Sequence, residues 1–290
     1  MTVFWGLLGV AIFSLTLPAT KLTVGWFDPF FVGTGRAVLA GVLALGTLWF
    51  SRTPFLPPRQ RGAFFVTFLG IGFGFPVFTA LALQTSAASH SAVVVGLLPL
   101  ATAVAGVLLA KEKQTWLFWV SSVVGSAVVT GYALGHHHVS FSWSDFFLLC
   151  AVASAAVGYA TGGRLARVWG GWNVIQWTLV IGLPLSVIGA VLSFHFLILH
   201  APVSAWTAFF YVAVFSAFLG FFPWYRGLSR GGIGKIGQLQ LFQPLMTITV
   251  SVVFLGEPFD LGMVVVVAVV AVCVLAGRRP LSMRILGEVK

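Results

Sequence analysis

The chain has 290 residues, 59% of them hydrophobic and only 8% charged, with a mean hydropathy of +1.03. Soluble domains carry about 25% charged residues, so this composition excludes one and reads as an integral membrane protein. A net charge of +10 would point a soluble protein toward nucleic acid; in a membrane protein basic residues collect on cytoplasmic loops and record orientation, so no nucleic-acid partner is expected.

Apolar runs broken by charge, Pro and Gly predict spans near 3–22, 29–50, 63–83, 90–110, 115–134, 143–163, 173–194, 205–225, 235–255 and 260–277. A span needs about 20 residues, so these ten leave no room for a soluble domain. The first run, Val3 to Leu17, lacks the basic segment of a signal peptide and is read as a retained helix. Pro54, Pro57 and Pro58 mark the loop after the second span, and His136, His137 and His138 the loop between two halves. Cys150 and Cys273 lie in apolar runs and imply no structural disulfide. With the N-terminus inside, 14 of the 16 basic residues fall on inner loops or the C-terminus, and only Lys21 and Arg36 lie toward the outer side. That asymmetry predicts a multi-pass protein with both termini cytoplasmic.

One pattern occurs twice. Pro99-Leu100 runs to Lys111-Glu112, and Pro244-Leu245 runs to Gly256-Glu257, at a constant offset of 145 residues. An offset close to half the chain predicts an internal duplication, with a first unit at 1–138 and a second at 139–290. Five spans per unit is an odd number, so the second copy would cross the membrane in the opposite sense. The expected fold is all-α integral membrane, ten transmembrane helices in two inverted five-helix repeats. Secondary transporters commonly use this plan, with the substrate near the midplane between the halves.

The residues also carry a resemblance. Asp28-Pro29 followed by Arg36-Ala37, Pro99-Leu100 with Glu112, then Gly125 and Gly131, and the second copy at Pro244-Leu245 and Glu257, resemble the EamA-type drug/metabolite transporters over essentially the whole chain. Within that superfamily the sequence is similar to the amino-acid exporter branch, of the YddG type. The resemblance implies two inverted five-helix units and export of small metabolites, here aromatic and neutral amino acids, across a bacterial inner membrane. The pattern departs in one place: the seventh span, Trp172-Asn173-Val174-Ile175-Gln176-Trp177, offers no equivalent of Arg36.

Polar side chains inside spans are costly and should face the bundle interior or a wet cavity. Gln238, Gln240 and Gln243 precede Pro244; their amides suit a zwitterionic substrate, or they tie helices together. Gln84 and His90 border the third and fourth spans, and His90 either meets a substrate carboxylate or is a helix-terminal histidine satisfied by a backbone carbonyl. Phe78, Tyr159, Trp177 and Trp224, with Tyr225, are candidates for an aromatic cavity wall, against the plainer reading of lipid-facing rings. Pro18, Pro99 and Pro244 are candidate hinges, the last two a matched pair. Arg36, Glu112 and Glu257 are candidate gates; Arg36 alternatively snorkels or bonds free carbonyls, and the glutamates alternatively are surface acids.

No Asp or Glu falls in the middle of a predicted span, which disfavours a carboxylate proton relay and export of lipophilic cations. No zinc pair, nucleophile elbow, P-loop or CxxC is present, and the three consecutive histidines suit no tetrahedral ion, so no metal, cofactor or catalytic residue is expected. The sequence therefore reads as a secondary transporter rather than an enzyme. Its partners are a small-molecule substrate, an amino acid, and the lipid bilayer; the oligomeric state stays open. The expected cavity lies between the third, fourth, eighth and ninth spans, with help from the first and sixth. An intramembrane enzyme acting on lipid-linked substrates and a passive channel are the alternatives, the former lacking any visible catalytic group.

Overall fold

A chain in hydrocarbon must satisfy its backbone polar groups internally, which favours helices throughout. The computed structural model describes residues 2–51, 55–135, 142–195 and 200–258, with scattered helical positions between 261 and 273, and no strand occurs among them. The histidines at 136–138 and most of the expected tenth span lie outside the described residues.

The first half of the chain contains α1 (Thr2–Ser14), α2 (Thr16–Val24), α3 (Pro29–Ser51), α4 (Pro58–Phe68), α5 (Phe75–Leu83), α6 (Ala88–Val95), α7 (Leu98–Ala110) and α8 (Trp116–Gly135). There follow α9 (Trp143–Leu192), α10 (Val203–Phe210), α11 (Phe221–Gly231), α12 (Ile233–Gly237) and α13 (Gln243–Leu255). Among the described residues seven helical segments are long and apolar enough to cross a membrane. One of them, α9, is broken at Gly170 (φ 75°, ψ 154°), and each arm, 143–169 and 171–192, exceeds the ~20 residues of a span.

Several spans are interrupted where the sequence places Pro and Gly. A turn at Gly96 and Leu97 separates α6 from α7, and a 3-10 segment, Gln238–Phe242, separates α12 from α13. Pro99 and Pro244 each sit in the first turn of the helix that follows, where a missing N–H leaves no bond unmade. The hinge candidates thus lie at true breaks in the α-helical ladder. Two π-helical stretches, Leu69–Gly74 and Tyr211–Leu219, widen the spans ahead of Pro76 and Pro223, a distortion often found at functional sites.

The 145-residue offset extends from sequence into geometry. Helices α7 and α13 each have 13 residues, and each ends at a left-handed residue, Lys111 (φ 53°) and Gly256 (φ 67°). The next N–H then turns back, Glu112 to the Gly106 carbonyl at 3.2 Å and Glu257 to the Ser251 carbonyl at 3.3 Å. Every partner in one copy is the other's shifted by 145.

Close helix contacts rest on glycine. A Cβ on Gly70 would lie 2.5 Å from the Ser154 carbonyl and 2.7 Å from Gly158 Cα, so the first π segment is pressed against α9 backbone to backbone. Between α1, α9 and α11 the core is aromatic: Phe13, Tyr159, Phe221 and Trp224 meet with centroids 4.9 to 6.2 Å apart.

Candidate functional site

Arg36 stands about two turns into α3 and is only 2% exposed. Its Nη2 donates to Ser216 Oγ at 3.2 Å, and the Ser216 and Thr16 hydroxyls share a hydrogen bond of 2.8 Å. Nε and Nη1 find no acceptor in the protein. Phe13, Ile71, Phe75, Tyr159, Phe221 and Gln243 complete a cavity around this guanidinium. Both π segments contribute to it, through Ile71 and Ser216. Its volume is about 10 Å³, room for roughly one water and no more.

Among the described residues no carboxylate pairs with Arg36, and every acid is engaged at a helix N-terminus. Asp28 accepts from the N–H groups of Phe30 and Phe31 at 2.8 and 3.2 Å, opening α3. Asp145 forms a capping box with Ser142 at the start of α9 and also meets His90 Nε2 at 2.8 Å. Glu112 accepts from the N–H groups of Ile233 and Gly234, each at 2.9 Å, and from Arg167. Glu257 accepts from those of Ala88 and Ser89 at 3.1 and 3.0 Å. Carboxylates belong there, since helix N-termini present free N–H groups and positive potential. A buried cation without a counter-charge is costly.

The two glutamates form an exchange. Glu112 follows α7 and caps α12, whereas Glu257 follows α13 and caps α6. Each donor in one contact is its counterpart in the other shifted by 145. The paired broken helices therefore run antiparallel, and each C-terminal end is tied to the other's N-terminal end.

Of the residues singled out from sequence, Arg36, Tyr159 and Gln243 line the central cavity. Trp224 lies behind it, fully buried with Nε1 unpartnered and its ring edge-on to Tyr159 at 5.4 Å. Gln240 is buried beside Tyr159, and Gln238 reaches Ser122 Oγ at 3.4 Å. Phe78 stacks on Phe147 with centroids 6.4 Å apart, Gln84 is exposed at the end of α5, and Trp177 leans on Phe55 at 6.1 Å. These three and His90 do not line the cavity, and neither do α6 and α7, the fourth span; α3 of the second span does. Pro18 lies in α2 one turn past the break at Leu15, near Thr16. Thr16 and Ser216 escaped the sequence reading. Small hydroxyls in apolar runs are common, and nothing local marks these two as the partners of an arginine.

A family model described as "EamA-like transporter family" matches residues 1–133 and again 142–276. The chain is 43% identical over 282 residues to "Uncharacterized transporter YdeK" of Bacillus subtilis (strain 168), covering 94% of this chain and 96% of that one. To "Uncharacterized transporter YyaM" of the same organism it is 25% identical over 274 residues, covering 91% and 90%. A crystal structure superposes with a TM-score of 0.75 at 18% identity, over 95% of this chain and 97% of that chain, a likeness of fold.

Proposed function

Because the chain belongs to the EamA-like transporter family and is a multi-pass membrane protein, we propose that it is a secondary transporter exporting amino acids or similar small carboxylates across a bacterial inner membrane. The observation that carries this reading is Arg36, buried, donating to Ser216, and without an ion pair to any described acid. Guanidinium is the side chain best matched to a carboxylate, with parallel N–H donors in a planar fork. Tyr159, Gln243 and Thr16 offer hydroxyl and amide groups for the remaining polar atoms of an amino acid, and Phe13, Phe75 and Phe221 an apolar wall for its side chain.

A cavity of about 10 Å³ is too small for any amino acid, so loading requires the halves to separate. The glutamate exchange supports a means. Releasing Glu112 from Ile233 and Gly234 would open one end of the α6–α7 and α12–α13 pair, and releasing Glu257 from Ala88 and Ser89 the other. Alternating release gives alternating access, with the breaks at Pro99 and Pro244 as hinges. Ten spans in two inverted units, 1–138 and 139–290, with both termini cytoplasmic, complete this reading. Its support is the doubled family match and the antiparallel α6–α7 and α12–α13 pair.

The test is competition in proteoliposomes. Neutral L-amino acids should compete for transport of a labelled neutral amino acid, while the corresponding amino-acid amides, lacking the carboxylate, should compete at least about tenfold more weakly. Equal competition by acids and amides would remove the role given to Arg36.

A further inference from the structure

The break at Gly170 creates a second feature, independent of the central cavity. Where α9 turns (φ 75°) it leaves a cavity of about 440 Å³, lined by Arg167, Trp169, Trp172, Asn173, Arg226 and Arg230 among others. That volume lies in the range of small-molecule sites.

Its walls are fixed. Trp169 Nε1 donates to Gln60 Oε1 at 2.6 Å, and Asn173 Nδ2 donates to the Trp169 carbonyl at 3.0 Å. A Cβ on Gly171 would lie 2.7 Å from the Arg226 backbone nitrogen, so α9 and α11 touch at the floor. The Arg226 guanidinium lies over the Trp5 ring at 4.5 Å, which holds it in place, and its buried Nε has no acceptor. Arg167 is engaged by Glu112. No acid lines the cavity, and Arg226 and Arg230 have no carboxylate partner among the described residues.

An arginine side chain supplies N–H donors and no acceptors. A half-open cleft that holds two arginines with no carboxylate partner among the described residues, and no acid in its lining, suits an anion with several oxygens, which favours a phosphate group over a single carboxylate. From this geometry we infer that the cavity between α9 and α11 binds a phosphate-bearing anion, with Arg226 and Arg230 as its ligands and Trp169 and Trp172 as its sides. Two sources share that chemistry: the headgroup of an anionic phospholipid and a soluble phosphorylated compound. Apolar surface beside the cavity favours the lipid, since Val168 is 80% exposed and Phe4 63% exposed. Basic pockets between membrane helices are a known setting for such headgroups.

The test uses the full chain purified in detergent and native mass spectrometry with equal amounts of phosphatidylglycerol and phosphatidylcholine of the same acyl chains. Wild type should retain phosphatidylglycerol adducts, R230Q should retain about tenfold fewer and R226Q/R230Q fewer still, with phosphatidylcholine adducts unchanged in all three. R226K/R230K should recover part of the loss. Inorganic phosphate, titrated by calorimetry, separates the sources: binding to wild type but not to R226Q/R230Q, with no preference for phosphatidylglycerol, identifies a soluble phosphorylated ligand and upholds the site. Arg230 is exposed, so R230Q keeps the fold and the test stands without the double variant. Equal phosphatidylglycerol retention by wild type and R230Q, with no phosphate binding by wild type, overturns the assignment. None of these readouts depends on transport of an amino acid.

Discussion

Arg36 is the residue on which the proposed function rests, and its energetics make a prediction of unusual sign. Replacing even a buried ion pair by well-packed apolar residues of similar volume is often neutral or stabilising by about 1–4 kcal/mol, and a lone buried charge lacks the attraction that offsets its desolvation. Arg36→Met should therefore raise the thermal midpoint of the purified protein while abolishing transport; a residue that merely held the helices together would lower both. Lys111 makes a smaller case. It is the one non-glycine among the described residues with positive φ, and its counterpart at the 145 offset is Gly256. Left-handed backbone disfavours a side chain by roughly 1–2 kcal/mol, so Lys111→Gly should stabilise by about 1 kcal/mol in thermal unfolding.

At the scale of elements, the proposed motion rests on the breaks and caps. Glu112 and Glu257 each accept two backbone N–H bonds from the opposite copy, and a neutral amide forfeits the charge that strengthens them. Glu112→Gln and Glu257→Gln should each weaken one end by about 1–3 kcal/mol. Single cysteines near Gly234 in the first variant and near Ser89 in the second should then become more reactive to a membrane-impermeant maleimide, each at its own end only. Reactivity rising at both ends in either variant would contradict independent locks. Packing supplies the other element-scale prediction. A Cβ on Gly158 would lie 2.5 Å from Ile71 Cγ2 and 3.0 Å from its backbone nitrogen, so Gly158→Ala should destabilise by about 1–3 kcal/mol. The repeat of Pro-Leu and Glu at 145 residues was legible in the sequence, and the prolines marked the neighbourhood of the breaks, because proline acts locally. Which helix end each glutamate meets was not. Ile233 lies 121 residues from Glu112, and Ala88 lies 169 from Glu257; such pairings are set by how whole helices cross. His90 shows the same limit, since it meets Asp145, 55 residues further along the chain.

For the whole molecule, composition was enough to fix an all-helical membrane protein, since hydrocarbon leaves the backbone little choice. The centre was only partly legible. Arg36, Tyr159 and Gln243 could be singled out as costly or unusual inside apolar spans, whereas Thr16 and Ser216 could not, and Phe78, Gln84, His90 and Trp177 resemble cavity residues in type while standing elsewhere. A centre with room for roughly one water, and helix ends capped by Glu112 and Glu257, supports the proposed carrier over a permanently open pore. The most direct measurement is counterflow of a labelled neutral amino acid into proteoliposomes preloaded with the same compound unlabelled. Wild type should show saturable accumulation that transiently exceeds equilibrium, and Arg36→Gln, inserted to the same level, should show none. Absence of counterflow in wild type, or equal counterflow in Arg36→Gln, would contradict a carrier that holds its substrate's carboxylate on Arg36.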